Sequence, residues 1–255
     1  YDAEEQEVNI HSYASVFAYG HKAVENILDG QIEITEKVDG SQISFGIIEG
    51  KLNIRSKSQQ INVDTPPKMF ASGVECIKSI EGCLHPDFVY RGEYLEKPHH
   101  NALSYGRIPN NHIVLFDVMT SLESYMQYKN RALEASLIRL ETVPVLYFGP
   151  GNNLTLDDLK VYLETDSFLG NQKIEGIVIK NYDLFTSEKK IACAKLVRRD
   201  FVEVNAVNWK KENPSDKNIA DQLAQKYRSE VRWEKCVQHL RDASELQYAP
   251  QNIPV

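Results

Sequence analysis

Alternation of apolar and polar residues from Gln31 to Glu36 is the feature that most constrains the fold of this chain. Such alternation is typical of a β-strand that buries one face. The pattern stops at Asp39-Gly40, a dipeptide typical of a tight turn. Beyond it, segments 42–48 and 52–55 are joined through Glu49-Gly50-Lys51 and predict a β-hairpin. The first part of the chain is therefore expected to fold around antiparallel strands.

Helices are predicted between and after these strands. Pro66-Pro67 suits the start of a helix, and apolar residues recur at helical spacing from Met69 to Ile80. Periodicity predicts further strands at 88–95, 112–118, 144–148, 174–179 and 190–197, and further helices at 129–140, 156–163 and 219–240. Strands with interspersed helices, followed by helices alone, predict an α+β fold that ends in a helical carboxyl-terminal tail.

Composition narrows the class of protein. With 255 residues, 42% apolar and 25% charged, the chain has the balance of a globular protein with a sizeable core. No apolar run approaches the roughly 20 residues that span a bilayer. The first residues are acidic rather than signal-like, and the four cysteines form no C-x-x-C pair. We therefore expect a cytoplasmic protein (intracellular; viral or host cytosol) with no membrane contact and no obligate protein partner.

The strongest local signal is Lys37-Val38-Asp39-Gly40, in which a predicted strand presents a lysine just before a tight turn. A lysine acts as a nucleophile only as the neutral amine, whereas its ordinary pKa is about 10.4. Nearby cations or burial would have to lower the pKa of Lys37. Four residues of this kind also arise by chance, so the motif on its own is better explained by a solvated lysine beside a surface turn.

Four more motifs change that interpretation, because they follow Lys37 in a fixed order on predicted strands. They are Glu93, Phe116-Asp117, the segment from Glu175 to Lys180, and Lys195. This order resembles that of the covalent nucleotidyltransferases, the superfamily of ATP-dependent DNA and RNA ligases and GTP-dependent capping enzymes. The stretch 195–203 is similar to K-x-K-N-P-x-F-x-E of the RNA ligase 2-like branch. The resemblance covers roughly residues 30 to 205 and implies a nucleotidyltransferase (ATP-grasp-like ligase) fold with antiparallel sheets and flanking helices.

The resemblance implies covalent catalysis by Lys37. Its amine would attack the α-phosphate of ATP, expel pyrophosphate and hold AMP through a phosphoramidate, the lysyl-AMP intermediate. A 5′-phosphate end of RNA would then take the AMP, and a 3′-hydroxyl end would displace it. Lys195 would contact the α-phosphate, stabilise charge in the transition state and help keep Lys37 unprotonated.

The resemblance also assigns contacts to the nucleotide. Glu36 corresponds to the residue that accepts the exocyclic amine of adenine, Glu93 to the one that contacts the ribose hydroxyls, and Phe116 to the ring that stacks on the base. Arg55 falls where an arginine binds phosphate, with Lys57 as its nearest competitor. Simpler alternatives are a solvated side chain for Glu36 and Arg55, and core packing for Phe116.

Metal binding is assigned to two carboxylates. Glu175 resembles the glutamate that places Mg²⁺ (or Mn²⁺) beside the phosphates. Asp117 is expected to assist the metal or to orient a neighbour. Lys180 is expected among the cofactor-binding residues, although in an unbroken strand it would lie on the face opposite Glu175.

The chain is expected to divide into an adenylation domain, 1–205, and a helical segment, 206–255, which would be a short or truncated RNA-binding appendage. From residue 186 to 241 there are 13 Lys or Arg against 8 Asp or Glu, although the net charge of the whole chain is −7. This local excess is expected to form a track for RNA phosphates, carried by Lys210, Lys211, Lys226, Arg228 and Arg232. A solvated helical face of mixed charge is the alternative.

Two other functions remain open at this point. An mRNA capping guanylyltransferase shares the lysine chemistry but usually carries an OB-fold domain, and no strand-rich segment is predicted after residue 205. A ligase-fold nucleotide- or RNA-binding module without turnover is suggested by Val197, which stands where the resemblance expects a second lysine. Arg198 or Arg199 would have to substitute there, and strand alternation places Arg199 on the face of Lys195.

Overall fold

The structure is a computed structural model that describes residues 9–198, 235 and 237–239. In this part of the chain the helices are α1 (Ala71–Ile80), α2 (Tyr128–Leu137) and α3 (Leu156–Tyr162), and residues 235 and 237–239 are helical as well. The strands are β1 (Val16–Ala18), β2 (Gln31–Lys37), β3 (Ser41–Ile48), β4 (Lys51–Ser56), β5 (Gln60–Ile61), β6 (Val89–Tyr94), β7 (Ile113–Ser121), β8 (Ser124–Tyr125), β9 (Glu141–Thr142), β10 (Val145–Pro150), β11 (Gly176–Phe185) and β12 (Ile191–Val197).

These strands form two sheets. The first sheet has the order β1-β12-β11-β2-β10, and the second has the order β5-β4-β3-β6-β7-β8, with β9 alongside β7. The pairs are antiparallel except β1 with β12 and β7 with β9, which are parallel. The predicted α+β architecture, with antiparallel sheets and flanking helices, is confirmed. Because β2 belongs to the first sheet and β3 to the second, the chain passes from one sheet to the other between Lys37 and Ser41.

The first sheet has two chemically different faces, as strand alternation requires. One face packs into an apolar cluster that includes Ile32, Ile34, Ile177, Ile179, Ala194, Val24, Ile27 and Leu159. The other face presents Thr35, Lys37, Val178, Lys180 and Lys195 to a cavity. The same strands therefore anchor the core and position polar groups.

The second sheet packs against helices. Its buried side chains, including Phe45, Tyr90 and Leu115, share one apolar cluster with Ile77 of α1 and Ala135 of α2. This contact confirms the prediction that apolar spacing from Met69 to Ile80 forms a helix: a short 3₁₀ turn covers 68–70 and α1 continues to 80. The two helices thus pack against the buried side chains of the second sheet.

The predicted hairpin is confirmed. Ile48 of β3 faces Lys51 of β4, so the turn consists of Glu49 and Gly50. Both residues have positive φ, 50° and 74°, the backbone that a two-residue hairpin turn requires.

Other predicted elements have longer or shorter bounds than expected. Strand β11 runs to Phe185 rather than ending near 179, and the short strands β1, β5, β8 and β9 were not predicted. The proposed boundary at residue 205 and most of the predicted tail helix lie outside the described residues. Among the residues described, no helix combines the length and apolar composition needed to cross a membrane.

Candidate active site

The Lys37-Val38-Asp39-Gly40 motif lies where the chain crosses between the sheets. The Asp39 carboxylate is buried and accepts hydrogen bonds from the backbone N–H groups of residues 102 and 103, at 2.8 and 2.9 Å. A Cβ on Gly40 would lie 2.6 Å from the Tyr94 carbonyl oxygen, so only glycine fits. Asp39 holds a neighbouring loop, and Gly40 allows the backbone to pack closely against Tyr94. Together these two residues fix the position of the adjacent Lys37.

Lys37 lines a cavity of about 360 Å³ whose walls come from both sheets. This volume is in the range of small-molecule sites. Six of the residues predicted for the site line it: Glu36, Lys37, Glu93, Phe116, Lys180 and Lys195. A seventh, Glu175, reaches it by contacting Lys37.

Three residues form what we call the Glu175 cluster: Lys37, Glu175 and Lys235. The Lys37 ammonium lies 2.6 Å from Glu175 Oε2, and the Lys235 ammonium lies 2.6 Å from Oε1. Burial alone would raise the pKa of Glu175, but the two lysines outweigh it and hold that pKa below its usual value. Glu175 is therefore an anion shared by two cations.

The charge state of Lys37 differs from the sequence-based expectation. Burial lowers its pKa, but the carboxylates of Glu175, Asp39 and Glu93 outweigh that effect and hold the pKa above its ordinary value. Burial of Lys37 acts in the expected direction, but the folded chain places carboxylates rather than cations beside its ammonium group. In this arrangement Lys37 pairs as a cation with the Glu175 carboxylate.

Glu36 is buried rather than solvated. Its carboxylate accepts hydrogen bonds from the Ser167 hydroxyl at 2.5 Å and from the Phe168 N–H at 3.2 Å. Burial raises the pKa of this carboxyl despite these bonds. A carboxylate has more acceptor positions than these two donors use, so Glu36 can still accept a donor from the cavity that it lines.

A second group of charges lies behind Phe116, and we call it the buried ion network: Glu33, Asp117, Arg131 and Lys180. The Arg131 guanidinium is 2.7 Å from Glu33 Oε1, and the Lys180 ammonium is 3.2 Å from Asp117 Oδ2. All four side chains are 1% exposed or less. The Tyr182 hydroxyl adds a hydrogen bond of 2.7 Å to Asp117. Strands β2, β7 and β11 and helix α2 are thereby tied together beneath the cavity.

Asp117, predicted as a metal ligand, does not line the cavity. Its carboxylate receives hydrogen bonds from the Tyr13 and Tyr182 hydroxyls and ion pairs from Arg131 and Lys180. Its oxygens are thus engaged by groups inside the fold. Asp117 therefore belongs to the buried ion network.

Lys57, rather than Arg55, lies at the cavity. The Arg55 guanidinium donates to backbone carbonyl oxygens, including that of Ile10 at 2.8 Å, and Arg55 does not line the cavity. Lys57, its competitor in the sequence analysis, does line it. Strand β4 ends at Ser56, so the first residue beyond the strand is the one that reaches the cavity.

Lys180 lies on the cavity side of β11, and Glu175 can lie near the same site because it precedes the strand. Val178 and Lys180 alternate normally onto the cavity side, while Glu175 precedes the strand and is not bound by its alternation. The Lys180 ammonium donates to the Phe116 carbonyl oxygen and lies 5.6 Å from the centre of the Phe116 ring. Lys180 thus supports Phe116 from below.

Lys195 and Val197 lie on the last described strand of the first sheet. Lys195 of β12 pairs with Val178 of β11, and Val197 pairs with Gly176 at the start of β11. A Cβ on Gly176 would lie 2.9 Å from the Val197 Cα, so this glycine permits the close strand pairing that brings Glu175 beside Lys37.

The donor set fits a divalent cation bound jointly with phosphate. Among the described residues, no group of three or more His, Cys, Asp or Glu side chains is arranged to hold a metal ion. Mg²⁺ is commonly held by one or two carboxylates together with substrate phosphates. Glu175 does not line the cavity itself, but both lysines paired with it do, so it is the carboxylate whose partners can turn away into the cavity and leave an oxygen for a metal.

Several groups at the site carry no recognisable signal in the sequence. Ser12, Tyr13 and Val16 line the cavity because β1 pairs with β12, a parallel contact between distant parts of the chain that leaves no local signal. Lys235 and Gln238 line it from the far carboxyl-terminal side. Lys235 falls in a predicted helix of mixed charge, where nothing local distinguishes it from its neighbours.

Comparisons with known proteins agree with this architecture. The sequence model of the family described as RNA ligase matches residues 30–197. The structure is similar to Naegleria gruberi RNA ligase with PPi, at 15% identity and a TM-score of 0.52, covering 80% of this chain and 59% of that chain. It is also similar to a mutant of that ligase with AMP and Mn, at 15% identity and a TM-score of 0.52, covering 79% and 58%.

At this identity the structural similarity establishes the RNA ligase nucleotidyltransferase fold. The chain spans less than two thirds of the length of these solved ligases. No curated protein sequence matches the chain. The family match extends over more than half of the residues, including every predicted site residue. The chain therefore belongs to the RNA ligase family.

Proposed function

We propose that this chain is an ATP-dependent RNA ligase that joins 5′-phosphate and 3′-hydroxyl RNA ends through lysyl-AMP, with Mg²⁺ or Mn²⁺. The observation that carries the proposal is the position of Lys37: it ends β2, just before the chain passes to the second sheet, at a cavity lined by a phenylalanine and further lysines. Such a cavity can hold a base at one side and phosphates at the other. Family membership supports the same chemistry.

The adenosine part of ATP would occupy the side of the cavity near Phe116. Its ring is held by an edge contact with Tyr13, 5.0 Å between centres, and is thereby available as a stacking surface. Glu36 would accept the exocyclic amine of adenine, and Glu93 would bind the ribose hydroxyls. Both side chains line the cavity.

The phosphates would lie among the lysines. Lys195 would contact the α-phosphate and stabilise charge in the transition state. Lys57, rather than Arg55, would provide the cation at the end of β4, because Lys57 lines the cavity. Lys180 would act as a positioning residue that supports Phe116, since it donates to the Phe116 carbonyl.

Activation of Lys37 would depend on Glu175. A divalent cation, when bound, supplies neutralisation of phosphate charge. Glu175 is the residue that would hold it, and in doing so would cease to be the counter-ion that raises the pKa of Lys37. The Lys37 ammonium would lose a proton to water, and its amine would then form a bond to the α-phosphorus while the bond to pyrophosphate breaks.

The remaining steps follow from the same intermediate. A 5′-phosphate oxygen of RNA would take the AMP from Lys37, and a 3′-hydroxyl would form the new phosphodiester while AMP leaves. RNA would bind through the basic carboxyl-terminal stretch, whose residues Lys210, Lys211, Lys226, Arg228 and Arg232 lie outside the described part of the chain. We propose a cytoplasmic location with this activity.

The proposal is tested with α-labelled ATP and Mg²⁺ or Mn²⁺. We expect a covalently labelled band for the parent protein, none for Lys37→Ala, and an unchanged band for Lys160→Ala, a control lysine that is 55% exposed on α3. Absence of label with either metal would contradict the proposal. Labelling by GTP instead of ATP would favour a capping guanylyltransferase.

Joining of a nicked RNA duplex tests the later steps. Label on Lys37 together with sealed product supports a ligase, whereas neither activity would favour a binding module without turnover. Changing Lys210, Lys211, Arg228 and Arg232 together to Ala should weaken RNA binding and flatten its dependence on salt, while leaving the lysyl-AMP yield nearly intact. RNA binding equal to that of the parent at every salt concentration would contradict the proposed phosphate track.

A further inference from the structure

Lys235 is far from the motifs in sequence but belongs to the cavity in space. Its ammonium is 2.6 Å from Glu175 Oε1, and three residues later the Gln238 amide donates to the Gly40 carbonyl at 2.6 Å. Both side chains line the cavity. The carboxyl-terminal segment is thus attached at two points to the motif that carries Lys37.

Glu175 cannot take a metal ion and keep both lysines. Its two oxygens are each occupied by an ammonium group, and the carboxylate itself is fully buried. A divalent cation at Glu175 would repel adjacent ammonium groups. In the proposed reaction Lys37 becomes a neutral amine and needs no new anion, so Lys235 is the cation that has to find another partner.

The anion available to Lys235 at that moment is the phosphate chain of the nucleotide. A lysine has a flexible four-carbon stem with three rotatable donors, and it can change partner without movement of its backbone. The Gln238 contact would keep the segment against Gly40 during the exchange. The Lys235 side chain is 14% exposed, so its ammonium is already at the cavity surface.

We propose that Lys235 is a phosphate-binding lysine of the nucleotide site: it pairs with Glu175 in the ligand-free protein and passes to the phosphates of ATP when Glu175 holds the metal. This inference rests on the proposed function, because it takes ATP as the ligand. It adds a group from the carboxyl-terminal segment to a site whose other proposed nucleotide contacts lie between residues 36 and 195. The alternative to this proposal is a purely blocking contact, in which Lys235 competes with the metal for Glu175 and does not bind phosphate.

The two alternatives predict opposite changes in affinity. The probe is α,β-methylene-ATP with Mn²⁺, because Lys37 cannot be adenylated by it and binding is measured by calorimetry without turnover. Lys235→Ala in the full chain should bind the analogue about tenfold more weakly, as expected for the loss of a charge-assisted hydrogen bond. Binding of adenosine should not change. Lys235→Arg should restore most of the affinity.

Controls separate this effect from loss of folding. Lys160→Ala should bind like the parent, and the thermal unfolding of Lys235→Ala should match that of Lys235→Arg. Should Lys235→Ala fail to fold, Gln238→Ala provides a second variant, with a smaller loss of affinity in the same direction because the segment loses its anchor on Gly40.

Tighter binding of the analogue by Lys235→Ala would show a blocking contact and overturn the inference. Unchanged binding would overturn it as well. If the parent forms lysyl-AMP and binds the analogue while Lys235→Ala is indistinguishable from it, this inference fails and the proposed function stands. If the parent shows neither property, both fail.

Discussion

The Glu175 cluster and the buried ion network both consist of carboxylates paired with cations, but they differ in their access to water. In the Glu175 cluster the side chains of Lys37 and Lys235 are 20% and 14% exposed. In the buried ion network no charged side chain exceeds 1%. The two groups share the cavity side of the first sheet, so exposure rather than location separates them.

This difference determines what each group can do. Fully buried ions have lost their hydration, and the removal of one partner leaves a charge with no compensation. Partly exposed lysines can regain water or another anion, so their pairing is exchangeable. The buried ion network therefore holds the cavity floor in shape, and the lysines of the Glu175 cluster are able to change partners.

The largest effect expected from this comparison concerns Arg131. Its replacement in Arg131→Met leaves Glu33 and Asp117 with Lys180 as their one remaining cation in the network. We expect a loss of about 3–5 kcal/mol in the free energy of unfolding, measured by urea denaturation. Lys235→Met is the matched control and should cost less than about 1 kcal/mol. Equal costs for the two variants would remove the distinction between the groups.

A second variant tests whether the loss comes from charge imbalance. Adding Glu33→Gln to Arg131→Met leaves Asp117 and Lys180, a balanced pair at 3.2 Å. The double variant should recover about 1–2 kcal/mol relative to Arg131→Met in the same urea experiment, so the two changes are not additive. A double variant less stable than the single one would instead point to lost packing around the Arg131 side chain.

The sequence predicted the parts of the fold that local patterns determine. Alternation from Gln31 to Glu36 gave β2, the Glu49-Gly50 turn gave the hairpin, and apolar spacing gave α1. It could not give β1, because the pairing of Val16 with Cys193 joins segments without any shared local pattern. A three-residue strand formed by a distant partner has no periodicity to detect.

The sequence motifs predicted which residues of the site lie together when the residue belongs to the motif itself. Lys37, Glu93 and Phe116 line the cavity as expected. Asp117 shows the limit: its position beside Phe116 was clear, but its four partners come from distant elements, among them Arg131 of α2, which no motif marks. The position of Lys235 likewise depends on tertiary contact alone.

A smaller effect is expected at Glu175. Glu175→Gln removes the carboxylate charge, but Lys37 and Lys235 can each turn toward water in the cavity. We expect a loss of about 1–2 kcal/mol in the free energy of unfolding, below that of Arg131→Met, by urea denaturation at the same pH. If Glu175→Gln proves as costly as Arg131→Met, the cluster is sealed like the network and its partners are not exchangeable.

The smallest effect on stability is expected at the ion pair of Arg107 with Glu141, which is more exposed than either of the two groups above. Their two charged hydrogen bonds, 2.8 and 2.9 Å long, lie at the surface, where the Arg107 side chain is 44% exposed. The Arg107 hydrogen bond, assisted by the N–H of Asn110, holds the pKa of Glu141 below its usual value. A depressed pKa means that the stabilisation is present at neutral pH and is lost as the pH falls through the folded-state pKa.

Glu141→Gln should therefore cost about 0.5–1 kcal/mol at neutral pH, and the difference from the parent should shrink as the solution is acidified below about pH 4. Urea denaturation of both proteins across this range, at low salt, measures it. The glutamine cannot titrate, so the change with pH belongs to Glu141 alone. A difference that stays constant with pH would mean that the pair acts through neutral hydrogen bonds. A cost as large as that of Glu175→Gln would show that exposure does not rank these ion pairs.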